Sequence, residues 1–137
     1  MSAYEGDITA ADVADFLAKG MLKSLVSLFK ADPTLYPLLR ELLGDERIAV
    51  RLGASALVES LAEEGAPHNA RAAEALLPLL ESSRPVLRGD AAYLLGVTGR
   101  REALPRLRLF LDDDNDDVRE AVAEAVGRIE SGPAGAS

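Results

Sequence analysis

Apolar positions along this chain recur at helical spacing, in blocks separated by short polar turns. The clearest block follows the acidic run 112–117. Val118 precedes Arg119, and Val122, Ala123 and Val126 stand three, four and seven residues after it. That spacing lays one apolar stripe along a helix. The same layout surrounds two other arginines. Val50 precedes Arg51, with Ala54, Ser55 and Val58 after it; Leu87 precedes Arg88, with Ala91, Ala92 and Leu95 after it. A leucine stands eight residues before each arginine, at Leu43, Leu80 and Leu111. The anchoring arginines are 37 and 31 residues apart. A period of this size with two helices per unit predicts a helical solenoid. Many stripe residues are alanine or glycine, which let helices approach closely. One helix pair then buries too little surface alone, and stacking the pairs completes the core.

Turn and cap residues divide the chain further. Thr9 with Asp12 forms a capping-box-like start, predicting a helix over 10–19. Gly20 interrupts it, and a second helix is predicted over 21–31. Val13, Phe16, Leu17, Leu22, Leu25, Val26, Leu28 and Phe29 supply the apolar face of this pair. It lacks the repeat signature, so residues 1–32 read as an N-terminal helical cap over the first repeat. Asp32-Pro33 marks the next start, with aspartate as cap and proline in the first turn. Helices are then predicted over 33–43 and 46–63, over 67–81 (bent near Pro78) and 85–97, and over 101–111 and 117–130. These define three repeats, 33–65, 66–98 and 99–130, within one domain. Residues 1–7 are expected to fray, and 131–137 to form a disordered tail.

The spacing resembles HEAT repeats, in particular the short variety found in phycobilisome-lyase HEAT-like repeats. The resemblance rests on Pro37 and Pro105 fourteen residues before the arginine, and on Asp45 and Asp113 six before it. Pro85 three before it, and Gly96 and Gly127 eight after it, complete the set. The second repeat departs at Glu74 and Ser82, and the first at Glu59. The resemblance covers 33–130 and implies an all-α, right-handed solenoid of antiparallel helix pairs. It also permits a bilin lyase or a lyase-accessory subunit.

Composition narrows the function. The 137 residues are 48% hydrophobic and 4% aromatic with no tryptophan, which suits alanine- and leucine-rich helix packing. A net charge of −8 repels phosphate backbones and anionic membranes, so nucleic acid and membrane partners are not expected. No apolar run approaches the ~18 residues of a membrane span. The absence of cysteine removes disulfides, thiolate metal sites and cysteine nucleophiles, and is compatible with the cytoplasm, the expected location.

Individual residues offer little chemistry. A calcium loop of the EF-hand type needs glycine at its sixth position and glutamate at its twelfth. Counted from Asp112 those places hold Asp117 and Ala123; counted from Asp113 they hold Val118 and Glu124. The acidic run therefore reads as a helix-start turn. His68, the only histidine, has no partner for a zinc site and reads as a solvated helix-start residue. Arg51, Arg88 and Arg119 read as a structural ladder, each bonding Asp45 or Asp113 and turn carbonyls between neighbouring units. No catalytic, cofactor or metal residue is assigned, and the chain is expected to be non-enzymatic.

What remains is a surface. In a solenoid of this type the second helices line the concave face. Residues one, five and nine after each arginine lie opposite the core stripe. They include Leu52 and Ala56, then Gly89, Tyr93 and Val97, then Glu120 and Glu124. With Glu59 and Asp90 beside them, they make an apolar patch with an acidic rim. Such a patch suits a protein or peptide partner carrying basic residues. A self-associating structural protein, a homodimer among its forms, is the further alternative.

Overall fold

A computed structural model describes residues 8–132. The expectations for 1–7 and for most of the tail therefore lie outside the described residues. Within 8–132 the chain is helical throughout, with no strand. Helix α1 spans Ala10–Ala18 and α2 spans Leu22–Ala31. Thr9 and Asp12 form the capping box at the start of α1, each side chain bonding the other's backbone N–H.

The repeats follow as helix pairs. A 3-10 stretch Pro33–Leu38 leads into α3, Leu39–Leu43, and α4 spans Ile48–Glu63. Helix α5 spans His68–Leu76, continues as a 3-10 stretch Leu77–Glu81, and is followed by α6, Pro85–Thr98. A 3-10 turn Arg101–Ala103 opens α7, Leu104–Arg108, and α8 spans Asp116–Glu130. The second helices match the lengths that periodicity predicts. The first helices do not: each contains a break into 3-10 geometry. Proline explains where. Pro37 and Pro78 fall inside the 3-10 stretches, and Pro105 stands in the first turn of α7. Proline donates no N–H and crowds the carbonyl four residues before it, so an uninterrupted α-helix over these segments is disfavoured.

The core is one cluster running through all the pairs. Each second helix buries the residue before its arginine and those three, six and seven after it. In α6 these are Leu87, Ala91, Leu94 and Leu95; in α8, Val118, Val122, Ala125 and Val126. Helix α4 packs against α1, α2, α3, α5 and α6, and α6 packs in turn against α8. Leu17 of α1 lies against Gly53 of α4, where a Cβ would come within 3.2 Å of the leucine side chain. Gly99 ends α6 at φ +69°, a left-handed conformation that glycine adopts without the steric penalty of a Cβ.

Candidate functional site

The three repeat arginines share one contact. The Nη1 of Arg51 donates to the Asp45 carbonyl at 2.6 Å, that of Arg88 to the Ser82 carbonyl at 2.9 Å, and that of Arg119 to the Asp113 carbonyl at 2.5 Å. Each closes the turn that feeds its own helix, on the oxygen six residues before it. Their remaining donors differ. Arg88 reaches into the next pair and grips the Asp113 carboxylate with Nε at 3.0 Å and Nη2 at 2.9 Å. Both side chains are nearly buried. The guanidinium holds the Asp113 carboxyl below its ordinary range, with help from the Asn115 backbone N–H. Arg51 makes its second bond to the Glu46 carbonyl, since Ser82 stands where a carboxylate would be. The Asp45 carboxylate bonds Arg47 instead, which also approaches Asp15 of α1. Arg119 pairs with Asp116 of its own helix. Asn115, not an aspartate, caps α8, accepting from the Val118 N–H at 3.1 Å.

His68 is not solvated as the sequence suggests. It is half-buried, and its Nδ1 lies 3.1 Å from the hydroxyl of buried Tyr36, one pair away. Among the described residues, no three His, Asp or Glu side chains are grouped to hold a metal ion. No described helix is long and apolar enough to cross a membrane.

An open cleft of about 380 Å³ lies between α6 and α8. Helix α6 contributes Pro85, Val86, Gly89, Asp90 and Tyr93 to it. Asn115 caps the other wall, on which α8 presents Asp117, Glu120, Ala121 and Glu124. Of the surface residues expected from sequence, Gly89, Asp90, Tyr93, Glu120 and Glu124 come together here. Leu52, Ala56 and Glu59 lie on the neighbouring helix α4, and Val97 lies further along α6; none lines the cleft. Leu52 is well exposed at 65%, whereas Ala56, Glu59 and Val97 are half-buried.

On the face of α4 and α6, two exposed side chains escaped the sequence reading. Ile48 and Val86 are 64% and 70% exposed, in the first turns of α4 and α6. Extending the outward series one helical turn before the arginine finds Ile48, which shares a face with Leu52. Val86 shares its face with Asp90 by the same spacing. The face built by α4, α6 and α8 thus grades from apolar (Ile48, Leu52) through mixed (Val86, Tyr93, Asp90) to acidic (Asp117, Glu120, Glu124). Burial pushes the Asp90 carboxyl above its ordinary pKa, and the positive charge of Arg51 partly offsets this.

Pairs of helices stacked through one core, with a repeated arginine closing each turn, define an α-helical repeat protein. Residues 73–137 match the family model for HEAT repeats, and the stacked helix pairs are those of a HEAT-like helical repeat fold. No curated protein matches the chain. HEAT repeats serve in general as protein-interaction modules.

Proposed function

We propose that this chain is a non-enzymatic interaction module that binds another protein across the face of α4, α6 and α8, the concave face of a solenoid. The observation that carries this reading is the row of large apolar side chains left exposed there: Ile48, Leu52, Val86 and Tyr93. They stand on rigid helices of a well-packed core, so binding needs little reorganisation of the module. The carboxylates of α8 steer a basic partner toward them. The residues divide into a cap at 1–32 and repeats at 33–65, 66–98 and 99–130, with the cytoplasm as the location.

A lyase reading gains nothing from the cleft. A bilin carries carboxylates of its own, and the walls present four more. Self-association is the reading to separate from partner binding. Light scattering over a range of concentrations, on wild type and on Leu52→Ala and Tyr93→Ala, separates the two. A monomer whose affinity-captured partner is lost in both variants supports the module. Full retention of the partner by both overturns the placement. A stable dimer that both variants dissociate would make a second copy the occupant.

A further inference from the structure

The α6–α8 cleft gathers four carboxylates on its two facing walls. Asp45, Glu64, Glu81, Glu102, Asp113 and Glu130 each pair with a lysine or arginine. Among the described residues, none of Asp90, Asp117, Glu120 and Glu124 takes part in an ion pair. Asp117 has an ordinary role in the first turn of α8, where its charge favours the helix N-terminus. Glu124 stands one turn before Arg128, a spacing that favours the helix, whereas Asp90 and Glu120 have no oppositely charged residue at that spacing. Glu120 and Glu124 stand one turn apart on one helix face, a like-charge spacing that weakens a helix. Asp90 is half-buried on the facing wall; Arg51, whose charge acts on it, bonds two turn carbonyls through Nη1 and forms no ion pair with it. The aromatic ring of Tyr93, 47% exposed, stands at the same cleft.

We infer that this cleft seats one arginine side chain of the bound protein, its guanidinium lying on Tyr93 and bridging Asp90 of α6 to Glu120 and Glu124 of α8. The inference rests on the proposed interaction module and names what its acidic end recognises. Arginine fits better than lysine for two reasons. A planar guanidinium stacks on an aromatic ring and donates in two directions at once, so it can meet carboxylates on facing walls. An ammonium is a compact, strongly hydrated point charge and does neither as well. The gradient along the face then orients the partner. Its arginine lies over α6 and α8, and its apolar side chains lie over Ile48 and Leu52.

The test uses the isotopically labelled full chain, titrated with N-acetyl-arginine methylamide and followed by NMR. The lysine and citrulline analogues serve as comparisons, since citrulline keeps the shape and loses the charge. The expected result is shift changes confined to the neighbourhood of Asp90, Tyr93, Glu120 and Glu124. Lysine binds more weakly and citrulline not measurably. Tyr93→Ala weakens the arginine analogue about threefold to tenfold, and Asp90→Asn with Glu124→Gln abolishes it. Shifts spread evenly over the acidic surface, or lysine binding as well as arginine, overturn the inference. So does an absence of shifts. Those results leave the interaction module standing if Leu52→Ala and Tyr93→Ala still release the captured partner. Partner retention in both variants would instead remove the module, whatever the arginine analogue does.

Discussion

Gly96 of α6 lies directly against Ala125 of α8: a Cβ at position 96 would stand 3.0 Å from the Ala125 Cα and 3.1 Å from its Cβ. The two helices therefore meet backbone to backbone, which sets the separation of the cleft walls further along the same pair. The equivalent glycine of the next repeat, Gly127, has open space where its Cβ would be. One substitution should thus have opposite effects at two repeat-equivalent positions. Gly96→Ala forces α6 and α8 apart and should destabilise by about 1–3 kcal/mol. Gly127→Ala removes only backbone freedom within a helix and should stabilise by about 0.5–1 kcal/mol. Denaturant melts of both variants against wild type check the sign as well as the size.

The Arg88–Asp113 pair links the second repeat to the third, and its neighbour Asp114 supplies an internal control. Asp114 also lies within 3.3 Å of Arg88, but its side chain is 95% exposed, whereas that of Asp113 is 7% exposed. Asp113→Asn should lower the melting temperature clearly, and Asp114→Asn scarcely at all. The pH dependence follows from the lowered Asp113 carboxyl. Folding holds that group below its ordinary value of 3.8, so its stabilising contribution is complete above that value. It is lost as the pH falls through the lower value of the folded state. Asp113→Asn should accordingly flatten the acid side of the stability curve, measured as melting temperature against pH.

Much of this fold was legible because the second helices obey one rule. Their apolar stripe is periodic, their glycine and proline positions mark the ends, and α4, α6 and α8 form close to where the pattern places them. The first helices were less legible. Their leucines suit a helix, but Pro37, Pro78 and Pro105 impose 3-10 turns that hydrophobic periodicity does not register. The ladder was half visible. Spacing identified Arg88 and Asp113, yet it could not tell that Arg51 bonds the Asp45 carbonyl while the Asp45 carboxylate takes Arg47. At the candidate site, helical spacing found Asp90, Tyr93, Glu120 and Glu124. It stopped one turn short of Ile48 and Val86, because a first turn carries no earlier residues against which to read a period.

Tyr36 and His68 make a second connection between pairs, from the 3-10 stretch Pro33–Leu38 to the start of α5. The Tyr36 ring is buried and meets Phe29 edge-on, with centroids 5.6 Å apart. Tyr36→Phe keeps that packing and removes the bond to His68, so it should destabilise by about 1 kcal/mol. His68→Ala should lose a similar amount, and the double variant should lose little more than either alone. A double-mutant cycle in denaturant measures that coupling.

Asp90 is the group for which stability and binding should part. Its folded-state pKa lies above the ordinary 3.8 because burial disfavours the charge, so the ionised form weakens the fold at neutral pH. The penalty is absent once the pH is low enough to protonate the carboxyl in both states. It develops as the pH rises through the carboxylate range. Asp90→Asn should therefore melt higher than wild type at neutral pH, with the advantage shrinking below 3.8. The same variant should bind the arginine analogue less well. A residue that weakens the fold while strengthening a contact is the signature of a binding site. Melting curves at neutral and acid pH, run beside the NMR titration, test both halves. A variant that melts lower at neutral pH would show that attraction to Arg51 outweighs burial, making Asp90 a structural partner of α4.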